Sequence, residues 1–333
     1  MEPSASIRAD QNQHYVPQTL LRHFSVPLKR KQIIVFDKQE ERTFSTNIRN
    51  VSSEKAFYNI DVGDQSLTME GSLRSVEDST AKINSTVIET EQLPKAESIE
   101  RLLLSIFVAV QFLRVKNLRT TITATNDLLK QKLQSIGTAE ADIERLTTMG
   151  EEDAKIVSMR MLEQTSQFVP LFYYKPWILL KTTKGNPFFI SDNPVTLQNE
   201  RDFGLCGNLG LGVEGIEIYM PLSSQLSLGI LCPIHEKEII SLHEQFSDVR
   251  QRRPEIVEQL GERAAWCDNL RSGIGTGAAI PTPPEVVLNL NSLQVYFSSR
   301  FVYCTNDSFD LVREMIRKNP RVKAGPPLPQ LVN

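Results

Sequence analysis

The stretch Glu97 to Arg119, ESIERLLLSIFVAVQFLRVKNLR, constrains this chain more than any other. Leu102, Leu103, Leu104, Ile106, Phe107, Val108, Val110, Phe112 and Leu113 wrap nearly all the way round a helix, and a helix that is apolar on every side has to be enclosed by the rest of the molecule. The chain must therefore assemble around it. Gln111 and Arg114 sit one turn apart in the same stretch, and a buried polar group without a partner costs roughly 1 to 3 kcal/mol. Both need partners, as satisfied core groups or as the wall of a pocket.

The segments on either side decide the fold class. Gln32 to Asp37 and Arg42 to Thr46 alternate as two strands about the charged turn KQEE, a hairpin, and Ala56 to Ile60 suits a third short strand. From Ser66 the spacing turns helical, with Glu70 and Glu77 two turns apart on one face. Two carboxylates roughly 10 Å apart along a helix do not bind one metal ion by themselves, so they read as a solvated edge, the alternative being a metal or base role for one of them with a separate group completing the site. Ile122 to Gln134 and Ala139 to Ser166 continue as amphipathic helices. LFYYKPWILLKTT and PFFISDNPV then read as strands joined at Lys184, Gly185 and Asn186 as a hairpin, followed by a strand pair at Ile216 to Met220 and Leu226 to Cys232. Helices are expected over Pro254 to Leu270, Val286 to Ser299 and Asp307 to Lys318, with a short strand at Arg300 to Cys304. The expectation is an α+β fold: a mostly antiparallel sheet, built from the early hairpin and the strands of residues 170 to 232, packed against a helical layer with a central buried helix over about 97–119. One domain over 13–320 is expected, between a disordered tail at 1–12 and a loose Pro-rich tail at 321–333.

The densest cluster of functional side chains precedes all of these elements, in QHYVPQTLLRHFS, Gln13 to Ser25. Val16 before a proline is biased away from helix, whereas Pro17 suits a first helical position because it has no amide hydrogen to leave unpaired. A helix starting there puts Gln18 and Arg22 on one face and His14 just ahead of its first turn. An imidazole, a carboxamide and a guanidinium aimed at a helix start would suit a phosphate or carboxylate. The alternative is that Arg22 covers the helix surface and His14 bonds its neighbours. Later, Asp192 and Asn193 close the PFFISDNPV strand ahead of Pro194. They are either turn formers held by side-chain bonds or, for Asp192, a base, metal ligand or orienter of His14.

HYVPQ followed by LLRHFS, and FFISDNPV over Phe188 to Val195, resemble the two signatures of the domain of unknown function 4238 family. Gln111, Arg114 and the stretch Asn291 to Tyr303 add weaker matches, so the resemblance runs from about His14 to Tyr303. It implies a bacterial protein and brings no assigned chemistry with it.

Composition narrows the function classes. With 37 Lys and Arg against 40 Asp and Glu, the net charge of −3 provides no overall attraction to nucleic acid or to an anionic membrane, although a local basic patch is allowed. No run of about 18 apolar residues occurs, and the first residues lack a hydrophobic signal core, so a soluble cytoplasmic protein is expected. Cys206, Cys232, Cys267 and Cys304 are far apart and read as reduced thiols. The GxGxxG at Gly210, Gly212 and Gly215 is followed by strand-like GIEIYMPL rather than a helix, which argues against a dinucleotide site.

The remaining constellation is His14 and Asp192 as catalytic candidates, with Gln18, Arg22, Gln111, Arg114 and Asn193 as substrate binders. That inventory suits a phosphodiester-directed hydrolase acting on nucleic acid or a nucleotide, with or without Mg²⁺ or Mn²⁺. The family resemblance adds a role in bacterial defence as a toxic effector. The competing expectation is a non-catalytic sensor or interaction module, with a protein partner or a second copy, in which the same cluster binds an anion.

Overall fold

In the computed structural model, the described residues are 2–3, 12–29, 31–62, 65–147, 149–201, 203 and 209–325. The apolar stretch forms the helix Ile99–Leu113, capped by the Ser98 hydroxyl, which accepts from the Arg101 amide at 3.2 Å. Leu104, Phe107, Val108, Ala109, Val110 and Leu113 are all buried, as its pattern requires. The helix ends at Leu113 and not at residue 119, because the backbone at Arg114 leaves the helical region and a new helix, Lys116–Ser135, sets off at an angle. Arg114 thus sits at a bend. The long helix Glu70–Thr90 packs beside the central one, and the short helices Thr165–Phe168 and Pro170–Tyr173 cover its other side.

The fold is α+β, with mostly antiparallel sheets against these helices. The expected hairpin of Gln32–Asp37 with Arg42–Asn47 is present, as is the pair Glu217–Pro221 with Leu226–Leu231. They belong to different sheets, however. The first sheet runs in the order Arg42–Asn47, Gln32–Asp37, Phe301–Cys304, Ile190–Ser191, and the second in the order Thr196–Gln198, Glu217–Pro221, Leu226–Leu231, Trp177–Lys181, Ala279–Pro281. The expected hairpin across Lys184 to Asn186 does not form. Trp177–Lys181 pairs with Leu226–Leu231, while Ile190–Ser191 crosses to Phe301–Cys304 in the other sheet. LFYY is helical rather than extended, since Pro170 takes the first position of a helical turn.

The termini are also more ordered than expected. Glu2–Pro3 pairs with Leu67 and Thr68, and Asn12–His14 with Ser53–Lys55. Pro320–Ala324 is a 3-10 turn with Val322 buried. The rest of both expected tails and Cys206 lie outside the described residues.

Buried charge fastens the first sheet to the C-terminal helices. Lys38 follows the strand Gln32–Asp37, has no exposed surface, and donates its three ammonium hydrogens to the carbonyls of Val295, Ser298 and Val322 at 2.9, 2.7 and 2.7 Å. Burial pulls its pKa down to about 8 against the upward pull of Asp192. Beside it, Asp37 receives a bidentate Arg300 guanidinium at 2.9 and 2.7 Å. Replacing Lys38→Met strands three buried carbonyls, so unfolding in urea is expected to show a loss of about 3 kcal/mol; a loss under about 0.5 kcal/mol contradicts this account of the staple.

Candidate functional site

Pro17 keeps an extended backbone as the cap of the helix Gln18–Leu21, which passes into a 3-10 turn over Arg22–Phe24. The helix therefore begins one residue later than the sequence suggests, and it is short. Its apolar residues Leu20, Leu21 and Phe24 are buried, which turns Gln18 and Arg22 toward a cavity of about 270 Å³. His14 lines the same cavity from the end of its strand, and the opposite wall is the start of the helix Glu70–Thr90, with Glu70, Arg74 and Glu77.

Gln111 of the central helix and Arg114 just past its end stand directly behind this wall. Gln111 donates to the Tyr15 carbonyl at 2.9 Å, Arg114 Nε donates to Gln111 Oε1 at 2.9 Å, and Arg114 Nη1 to Glu77 Oε1 at 2.7 Å. This relay fixes the chain next to His14 and the carboxylate across from it with one set of bonds. Arg114 is fully buried, and its Nη2 has no partner. Glu77 is about a quarter exposed, with a side-chain accessibility of 23%, so the pair is anchored inside and reaches the cavity at its carboxylate end.

His14 Nε2 is out of contact with solvent and also lacks a partner. Desolvation holds the imidazole below its ordinary pKa, opposed by a hydrogen bond to the Arg49 backbone and by the Glu77 charge. With Nε2 free, the Arg49 bond falls to Nδ1, which leaves Nε2 as the lone-pair nitrogen of a neutral ring. Glu70 is shifted the other way: burial, reinforced by Glu77, raises its carboxyl above the ordinary range, and the exposed Arg74 at 3.9 Å offsets little. The cavity thus sets an imidazole whose pKa burial lowers beside a carboxyl whose pKa burial raises.

Asp192 and Asn193 lie elsewhere. Asp192 is buried with both oxygens occupied by the backbone amides of Ser299, Arg300 and Phe301 at 2.7, 2.8 and 2.9 Å. Burial pushes its carboxyl upward, while these amides and Lys38 pull it down. Asn193 donates to the Phe297 carbonyl at 3.2 Å, and Gln294 and Asn291 brace the same segment through Pro194 and Pro187. Neither residue lines the His14 cavity, so the expected His14 and Asp192 pair does not share it; Glu70 and Glu77 line it with His14 instead. In the sequence those glutamates look like a solvated edge; the signal for more is Arg74 between them, on a helix face that already carries two acids. Among the described residues, no group of three or more His, Cys, Asp or Glu is arranged to hold a metal ion. Among them too, no helix is long and apolar enough to cross a membrane.

The family model described as "Protein of unknown function (DUF4238)" matches residues 12–308. The chain belongs to the DUF4238 family. The matched span begins with the strand that carries His14 and ends just beyond the strand that Asp192 fastens, so this DUF4238 chain has both signatures inside the matched region. No curated protein and no solved structure matches it.

The two signatures should separate by mutation. Asp192→Ala removes the acceptor of three buried amides and is expected to cost about 3 kcal/mol in chemical unfolding. His14→Ala breaks no bond at Nε2 and should cost under about 1 kcal/mol. Equal losses in the two variants contradict the division drawn here.

Proposed function

We propose that this protein is a phosphodiester-directed hydrolase whose reaction centre is the His14 cavity. The carrying observation is that His14, with a partnerless Nε2, lines one cavity with the guanidinium groups of Arg22 and Arg74 and with Glu70, a carboxyl whose pKa is raised by burial. In this reading the His14 imidazole, on turning its Nε2 into the cavity, takes a proton from water as the new P–O bond forms. Glu70 gives its proton to the departing oxygen as the old P–O bond breaks, and Arg22 and Arg74 hold the non-bridging oxygens. Arg114 acts through Glu77, holding that wall in place. No step needs a metal ligand set.

The substrate class follows from what adjoins the cavity. Thr19 and Arg22 also line a second hollow of about 170 Å³, with His23 and Asn84. Asn84 is buried and its Oδ1 has no donor, which suits a substrate that continues past one phosphate and offers an N–H or O–H group. A nucleotide or the end of a nucleic acid has that form. The setting we propose is the bacterial cytoplasm, where such an activity would serve as a defence effector.

Labelled DNA, RNA and nucleotides, incubated with EDTA, Mg²⁺ or Mn²⁺, test the proposal. Cleavage is expected to persist in EDTA. His14→Ala should lower kcat/KM by about 100-fold or more with Tm unchanged, and Arg22→Gln should act mainly on KM. The rate should fall in acid as His14 gains a proton and in alkali as Glu70 loses one, with its optimum on the acid side of neutrality. Saturable binding of these anions without turnover would instead favour the non-catalytic sensor.

A further inference from the structure

A second cavity shares no lining residue with the His14 site. It encloses about 650 Å³ between the start of the central helix, the segment Tyr173 to Trp177 and the end of the helix Pro254–Thr276. That volume lies within the usual range for small-molecule sites.

Its lining includes a second buried arginine. Arg101, only 6% exposed, lies with its guanidinium carbon 3.7 Å from the centre of the Trp177 ring. One Nη2 hydrogen goes to the Lys175 carbonyl at 2.8 Å, and Nε has no acceptor. Among the described residues no carboxylate forms an ion pair with it; the Tyr173 phenol is the neighbour that favours its charge. A desolvated cation of this kind is expensive unless an anion joins it. The lining also holds two glutamates, Glu97 and Glu236, and two lysines, Lys95 and Lys175, and the Lys175 ammonium donates to the Leu211 carbonyl at 2.8 Å.

Three aromatic residues, Tyr173, Tyr174 and Trp177, also line the cavity, among aliphatic and small ones. Tyr173 and Tyr174 meet edge to face at 5.1 Å, and Tyr174 is 77% exposed although a large aromatic ring gains from being covered. Trp177 is buried, has its indole N–H committed to the Phe172 carbonyl at 2.9 Å and carries the Arg101 guanidinium on its ring, so it offers no donor and serves to hold Arg101.

We propose that this cavity binds a small organic anion with a flat ring, its charged oxygens on Arg101 and its ring against Tyr173 and Tyr174. Aryl carboxylates and nucleoside monophosphates share that chemistry, and the choice between them is experimental.

Calorimetric titrations of the full chain with benzoate, indole-3-acetate, AMP and GMP make the test. At least one probe should bind saturably at one site. Tyr174→Ala, at an exposed position, should weaken that binding roughly tenfold with Tm unchanged, and Arg101→Gln should abolish it. His14→Ala should leave the affinity unaltered, which separates this site from the proposed reaction centre. A response confined to the carboxylates, or to the nucleotides, supports the proposal and identifies the source. No saturable binding of any probe overturns it, as does binding indifferent to both Tyr174→Ala and Arg101→Gln. Should Arg101→Gln fail to fold, Tyr174→Ala decides alone.

Discussion

A guanidinium without solvent contact, Arg114, is what the polar half of this protein is assembled around. Water would hold that charge more cheaply, so its burial is sustained only because Gln111 and Glu77 replace the lost hydration. The same bonds set the geometry of the cleft. Gln111 passes the constraint to the Tyr15 carbonyl and hence to the chain carrying His14, while Glu77 orients the facing helix. Arg114 stands at the bend where the central helix stops at Leu113, its amide still donating to the Val110 carbonyl at 3.0 Å.

A second buried ionic centre serves the other half of the molecule for a different purpose. Asp192, Lys38, Asp37 and Arg300 join strands and helices far apart in sequence, and nearly every donor and acceptor among them is matched. A saturated centre of this sort rigidifies. At the first centre Arg114 Nη2 and His14 Nε2 remain unmatched. Unmatched polar atoms beside a cavity are the mark of a place where a ligand completes the bonding.

Local signals in the sequence were dependable where neighbours in the chain decide the outcome. The all-round apolar helix, the Gln32 to Asp37 hairpin and the helix beginning near Pro17 follow from periodicity and proline chemistry alone. The partners of Ile190–Ser191 were not legible, because its neighbour Phe301–Cys304 lies over a hundred residues away and the turn residues at 184 to 186 suggest a closer one. The site was half legible for the same reason. His14, Gln18 and Arg22 line one cavity, while Gln111 and Arg114, expected to bind substrate, are buried behind its wall, and the carboxylates across it belong to a helix whose charged face looks like any solvated surface. For Asp192, a turn former and a catalytic carboxylate have the same sequence appearance; only the three amides that it receives tell them apart.

The central claim is that one desolvated, neutral imidazole faces the Glu77 carboxylate that Arg114 fixes. The most direct measurement is an NMR titration of the His14 ring in the native protein and in Glu77→Gln, which keeps an acceptor for Arg114. The account predicts a His14 pKa below the ordinary value of about 6.5 that falls further in the variant, since a negative charge supporting the protonated ring is gone. A His14 that titrates at or above its ordinary value and ignores the loss of Glu77 would contradict it.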